Sequence, residues 1–195
     1  CNLVGEFNVY NLLAVYATAK TLGMPEESLM KGISKLKPVK GRLQFLSNNE
    51  KIAIVDYAHT PDALENVISS IKKINSDKNS LITVVGCGGD RDKSKRPIMG
   101  NIASSLSTKV VFTSDNPRSE NPSQIIDDIM VGVSSENLKK VTRIIDRRKA
   151  IETALSIAKK NDIVLVAGKG HESYQEVNGI KNNFDDFDVI KNIIS

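Results

Sequence analysis

From Arg42 onward, short runs of consecutive apolar residues alternate with longer stretches whose apolar residues recur at helical spacing. Continuous apolar runs bounded by turn residues read as buried strands, and a three-to-four spacing reads as one face of a helix. The pattern predicts strands at Leu43–Leu46 and Ile52–Val55, joined by the turn Ser47-Asn48-Asn49-Glu50, and further strands at Leu81–Val85, Val110–Thr113 and Ile163–Ala167, with a weaker one at Val141–Ile145. Thr60-Pro61 opens a helix with the stripe Leu64, Val67, Ile68, Ile71 and Ile74; Pro97 and Pro122 open two more; others start at Arg147 and Asp185. Proline suits a helix start because its missing N–H would have no partner there. Repeated strand–helix units with apolar strands predict an α/β fold, a mostly parallel sheet covered by helices on both faces. Right-handed crossovers make that sheet doubly wound and Rossmann-like.

Residues 1–40 read differently. Leu12, Leu13, Tyr16, Ala17 and Leu22 recur at helical spacing, Gly23 stops that helix, and Pro25-Glu26-Glu27 starts another carrying Leu29, Ile33 and Leu36. The run Lys37-Pro38-Val39-Lys40-Gly41 breaks the pattern. It divides the chain into a helical segment, 1–40, and an α/β domain, 41–195.

In open α/β sheets ligands bind beyond the carboxyl ends of the strands. Here those ends are polar. The predicted strands lead into Asp56-Tyr57-Ala58-His59-Thr60, Gly86-Cys87-Gly88-Gly89-Asp90-Arg91-Asp92, Ser114–Glu120, Asp146-Arg147-Arg148 and Gly168-Lys169-Gly170-His171-Glu172. The loop Ser114–Glu120 holds Asp115, Asn116, Arg118 and Glu120, groups able to grip both charges of a zwitterion.

Each loop also has a plainer reading. Asp, Asn, Pro and Ser favour turns for local reasons. Asp56 and His59 can be a helix N-terminal cluster capped at Thr60. The three glycines do not form G-x-G-x-x-G, and Lys169 stands in no complete phosphate loop. Arg147-Arg148 reads as a solvated helix start, Cys87 as a small packed residue. His59 and His171 suggest a catalytic or metal-binding pair, but no Ser or Cys stands in a nucleophile elbow.

Composition narrows the classes. The net charge of +4 comes from 27 basic and 23 acidic residues scattered along the chain, and aromatics make up only 5%. Without a basic block interleaved with aromatics, nucleic acid is not an expected partner. The two cysteines, Cys1 and Cys87, cannot build a disulfide framework, which suits a reducing, cytoplasmic setting. No run is apolar over the length of a bilayer, so membrane insertion is not expected. Cys1 in place of Met, followed by Asn2-Leu3-Val4-Gly5, suggests the interior of a longer protein.

Six motifs in order carry a resemblance: Phe7-Asn8-Val9-Tyr10-Asn11, Gly41-Arg42, Asp56 through Leu64, Gly86 through Asp92 with Lys95-Arg96-Pro97, Asp115-Asn116-Pro117-Arg118, and Gly168 through Glu172. Together they resemble the Mur ligases of peptidoglycan synthesis, and among these the branch adding the third residue of the peptide. The resemblance covers the chain end to end. It implies the end of a central ATP-binding domain (1–40) followed by the C-terminal, amino-acid-binding domain (41–195), working as a monomer with the remaining domains of the same enzyme. It further implies ATP-dependent joining of meso-2,6-diaminopimelate to the UDP-N-acetylmuramoyl-dipeptide through an acyl phosphate. Asn8, Asn11, Arg42, Asp56 and His59 then match ATP-binding positions. Arg91, Asp115, Asn116, Arg118, Gly168 and Glu172 match positions that hold the incoming amino acid. The phosphate loop and the ligands of the expected magnesium ion (Mg2+) would lie in parts not present, so no metal site and no catalytic residue is assigned, and this stretch alone is expected to bind rather than catalyse.

Residue chemistry agrees with that implication. Arg118 can grip a distal carboxylate bidentately and Glu172 can hold an ammonium. A buried arginine left unpaired by lysine would cost about 3–5 kcal/mol. Rival readings are a non-catalytic α/β module for a zwitterionic amino acid, the L-lysine-adding homologue, and an amide ligase of the folylpolyglutamate or cyanophycin type, from which Asp-Asn-Pro-Arg is expected to be missing.

Overall fold

The computed structural model describes residues 6–36, 38–48, 50–75 and 78–195. They form two compact units, Cys1–Val39 and Lys40–Ser195. The first contains helices α1 (Glu6–Thr21) and α2 (Glu26–Ser34). Gly23, at φ +80°, lies between them in a left-handed conformation that only glycine adopts without strain.

The second unit is an α/β domain. Its strands are β1 (Gln44–Ser47), β2 (Ile52–Asp56), β3 (Leu81–Val85), β4 (Lys109–Phe112), β5 (Val141–Arg143) and β6 (Ile163–Ala167). They form one six-stranded sheet in the order β1-β2-β6-β3-β4-β5. All neighbours are parallel except β1, which pairs antiparallel with β2 as an edge hairpin. The expected doubly wound, mostly parallel sheet is therefore present. Strand β6 comes late in the chain yet lies between β2 and β3, with Ala167 opposite Asp56 and Val166 opposite Val84. The loop after β6 consequently emerges between the loops after β2 and β3.

Alternation along the strands fills two cores. On one face Ile54, Val85, Phe112 and Leu165 pack with residues of α3 (Pro61–Ile74), α4 (Lys95–Leu106) and α5 (Pro122–Met130). On the other, Val55, Val84, Val111 and Val166 pack with residues of α6 (Arg147–Ile157) and α7 (Asp186–Ile194). Both faces are covered, so period-two alternation in space appears as unbroken apolarity in sequence. Each such buried aliphatic side chain contributes about 2 kcal/mol. Four of these helices start on side-chain caps: Thr60 accepts from Ala63 N, Asn121 from Ser123 N, Asp146 from Lys149 N, and Asp185 from Phe187 N.

Four features depart from the sequence pattern. Helix α4 begins at Lys95, two residues before Pro97, and β5 stops at Arg143, where the chain turns toward the Asp146 cap. A hairpin, β7 (Tyr174–Val177) and β8 (Ile180–Asn183), lies outside the main sheet. Its strands are polar, so hydrophobic patterning is silent there; the signal is its turn, Asn178-Gly179, both at positive φ as a type I′ turn requires. Finally, Arg147 is no solvated helix start. Its side chain is fully buried and pairs bidentately with Asp186, Nε to Oδ1 at 2.8 Å and NH2 to Oδ2 at 2.7 Å. The countercharge sits 39 residues downstream, beyond the reach of local pattern.

Removing one partner of such a pair strands a buried charge, at about 3–5 kcal/mol. Arg147→Met should therefore lower the unfolding free energy of this chain in urea by that amount. Adding Asp186→Leu should recover at least half of the loss; a double variant no better than the single one would refute the pairing as its cause.

Candidate substrate-binding site

Beyond the carboxyl ends of the parallel strands lies a cleft of about 530 Å³. Its walls include Arg91, Asp115, Asn116, Arg118, Gly168 and Glu172, with His59 on the rim. All six residues matched to the incoming amino acid thus come together, although they derive from three separate loops. Arg42 and Asp56 do not line the cleft, and Asn8 and Asn11 belong to the other unit, where Asn11 Nδ2 donates to Asn8 Oδ1 at 3.3 Å on α1.

Asn116 is the hub of the wall. Its Nδ2 donates to Glu172 Oε2 at 2.8 Å, while its Oδ1 accepts from Lys169 Nζ at 3.0 Å and from the Glu176 backbone N–H at 2.9 Å. Lys169 is fully buried and also donates to Glu172 Oε2 at 3.0 Å. Burial pushes the Glu172 carboxyl up, but the hydrogen bonds from Asn116 and Lys169 outweigh it and leave the group below its ordinary value. Glu172 is an anion at neutral pH, and among the described residues nothing hydrogen-bonds its other oxygen. Lys169 acts through Asn116 and Glu172, a role its glycine neighbours gave no hint of.

Two close approaches fix the backbone. A Cβ on Gly168, which sits at φ +117°, would lie 2.7 Å from Asp115 Oδ2. A Cβ on Gly89 would collide with the carbonyl of Pro117. Asp115 is further held by its own turn, its Oδ1 accepting from Asn116 N at 2.7 Å.

Arg118 adopts φ +51°, a left-handed conformation that costs a non-glycine residue about 1 kcal/mol. The hairpin compensates: Arg118 N donates to Glu176 O at 3.1 Å, and Asn178 N donates to Arg118 O at 2.7 Å. Its guanidinium donates through NH1 to Gly89 O at 2.7 Å, and its Nε lies 3.4 Å from Glu176 Oε2.

Glu120, grouped above with the zwitterion-holding residues, serves the scaffold instead. It receives both terminal nitrogens of buried Arg96 at 2.8 and 2.9 Å, together with Asp90 N at 2.6 Å and Lys93 Nζ at 3.2 Å. Arg96 also reaches Asp128 at 2.8 Å. The Arg96 hydrogen bonds bring the Glu120 carboxyl down to about 2.

The loop after β2 makes another corner of the same cleft, lined by Tyr57, His59 and Thr60. Asp56 is 6% exposed and accepts backbone N–H groups from Leu43 at 2.8 Å and Ala58 at 2.9 Å. Burial raises its carboxyl above the ordinary value despite these bonds. The Tyr57 ring meets both His59 and His171, at 4.5 and 4.8 Å between centroids, with the Arg42 guanidinium 5.0 Å from its centre. Each histidine therefore packs against the tyrosine with its ring tilted, by 55° and 49°. Cys87 is buried against Met99, its thiol pushed up to about 12 by burial, in keeping with a packed residue. Among the described residues no three His, Cys, Asp or Glu converge to hold a metal ion, and no helix is long and apolar enough to cross a membrane.

The family model for the Mur ligase, glutamate ligase domain, matches residues 41–170. The chain belongs to the Mur ligase family. It is 50% identical over 193 residues to the UDP-N-acetylmuramoyl-L-alanyl-D-glutamate--2,6-diaminopimelate ligase of Bacteroides thetaiotaomicron, covering 98% of this chain and 40% of that protein. The Bacillus cereus ligase of the same name is 45% identical, covering 99% and 38%. The chain thus spans about 40% of the length of these curated relatives. A solved structure of a 2,6-diaminopimelate ligase superposes with a TM-score of 0.76 at 43% identity, covering 98% of this chain and 39% of that one. The MurC structure from Thermotoga maritima, TM-score 0.67 at 19% identity and covering 98% and 38%, shows the fold alone.

A depressed carboxyl stabilises the fold above its unfolded value, here 4.5, and loses that contribution as pH falls toward the folded value of about 2. Glu120→Gln should cost about 2 kcal/mol at neutral pH, after allowance for solvent screening, and flatten the decline in stability across that acid window. Urea unfolding at a series of pH values reads both effects; an unaltered slope would count against the assignment.

Proposed function

We propose that this chain supplies the amino-acid-binding part of an ATP-dependent ligase that joins meso-2,6-diaminopimelate to UDP-N-acetylmuramoyl-L-alanyl-D-glutamate in cytoplasmic peptidoglycan synthesis. The observation that carries the reading is one cleft holding an ionised Glu172 and the guanidinium of Arg118. An amino acid with an ammonium and a carboxylate at its far end complements that pair; lysine complements only half of it. The names and identities of the relatives support the same substrate. Residues 1–40 then close a central ATP-binding domain, and 41–195 form the C-terminal domain of a monomeric enzyme.

In this reading the chain's own residues bind and orient. Glu172, oriented by Asn116, holds the distal ammonium, while Arg118 and Arg91 hold carboxylate oxygens. The reactive amine is left toward the nucleotide side. Fixing both ends of a flexible diamino acid converts its attack into an effectively intramolecular step. ATP, when bound, supplies the phosphoryl group that activates the acceptor carboxylate. The fit to ATP is partial: His59, Tyr57 and Arg42 form a polar aromatic corner on the nucleotide side, whereas Asp56 already spends an acceptor site of each oxygen on backbone N–H groups. Asp56 therefore shapes the corner and retains one further lone pair on each oxygen for a ribose hydroxyl. Magnesium ligands belong to parts of the enzyme outside this chain.

Calorimetry on the full-length enzyme, with an ATP analogue and the nucleotide-dipeptide bound, should show meso-diaminopimelate binding at least tenfold more tightly than L-lysine. Arg118→Ala should reduce that ratio toward unity. Equal affinities in the wild type, or a ratio untouched by Arg118→Ala, would sink the proposal.

A further inference from the structure

The hairpin β7–β8 lines the cleft with Tyr174 and braces the cleft wall through Glu176. Glu176 gives its backbone N–H to Asn116 Oδ1 at 2.9 Å and accepts Arg118 N at its carbonyl, at 3.1 Å. Its carboxylate stands 3.4 Å from Arg118 Nε, with the two side chains only 23% and 20% exposed. Gly89 O accepts a hydrogen bond from NH1. Among the described residues no hydrogen bond or ion pair uses Arg118 NH2. A guanidinium with an anion beside Nε and one NH1 hydrogen bonded keeps its end-on edge, NH1 with NH2, for a bidentate carboxylate.

That arrangement has an electrostatic side. Arg118 is not an unpaired buried cation while it waits for substrate, because Glu176 already neutralises it. Lysine, lacking a distal carboxylate, leaves Arg118 with this internal partner, so the full penalty of a stranded buried charge does not apply. An arriving carboxylate meets the Arg118 cation and, just behind it, the Glu176 anion. Two like charges about 6 Å apart across a partly exposed site repel appreciably. Building on the diaminopimelate reading, we infer that Glu176 is a specificity-determining residue: the resident counter-ion of Arg118, which aims its guanidinium and tempers its preference for a distal carboxylate.

Glu176→Gln separates charge from aim. The amide keeps the side chain's size and its place beside Arg118 Nε, and both main-chain bonds remain. On the full-length enzyme with an ATP analogue and nucleotide-dipeptide, calorimetry should show the Kd for meso-diaminopimelate falling about fivefold. The Kd for L-lysine should stay level or rise. In an Arg118→Ala background the same substitution should shift meso-diaminopimelate by less than about twofold, since its target is gone. Parallel shifts for the two amino acids, no change or weaker diaminopimelate binding in Glu176→Gln, or a full fivefold gain without Arg118, would each overturn the inference while leaving the functional reading intact. A wild-type enzyme that does not prefer meso-diaminopimelate would overturn the functional reading, and this inference with it. Because the two ligands differ at their distal end, a merely structural effect of the substitution would not move their ratio in favour of meso-diaminopimelate.

Discussion

The buried pair Arg147–Asp186 is the interaction on which the site's frame rests. It joins the starts of two helices, α6 and α7, whose apolar faces share the second core. Arg147 NH2 also reaches the carbonyl of Ala167 at 3.1 Å, and its NH1 lies 4.0 Å from Asp115 Oδ2. One guanidinium thus links the end of β6, the loop after β4 and two helix starts. A buried ion pair adds little net stability over an apolar replacement, because desolvation offsets the attraction. What it supplies is direction: only one arrangement of these four segments satisfies every donor.

On the opposite side of the cleft, Arg96 does a similar job at the surface of the first core. Through Glu120 and Asp128 it ties α4 to α5 and to the loop that carries Arg118. The loops after β3 and β4 are then cross-stitched: Gly89 N donates to Asn116 O at 2.9 Å, and Ser119 Oγ donates to Asp90 Oδ1 at 2.7 Å. A substrate loop so restrained loses little entropy on binding, which is the benefit of preorganisation.

The fold was largely legible, and the reason is physical. Strands buried on both faces must be apolar throughout, so β2, β3, β4 and β6 announce themselves, as do helices opened by Pro61 and Pro122. The hairpin β7–β8 escaped because its strands are polar and only Asn178-Gly179 marked it. At the site, four of the strand-end loops and four of the six motifs pointed to residues that line the cleft. Sequence could not separate ligand groups from their supports. Glu120 stands two residues from Arg118 yet serves Arg96, and Lys169 and Arg147 are charged residues whose partners lie in other loops. Charge type and spacing are local; which charge is buried against which is a property of the closed sheet.

The place of β6 in that sheet has a consequence for how the protein is made. A ribosome delivers β2, β3, β4 and β5 well before β6, yet β2 and β3 never pair with each other; each pairs with β6. Until residues 163–167 emerge, the nascent domain carries two apolar strands with their inner edges open. Open edges of that kind invite wrong partners. The strand that seals them also brings Gly168, Lys169 and Glu172, so closure of the core and completion of the cleft are one event in biosynthesis, and a chain truncated before β6 forfeits both together.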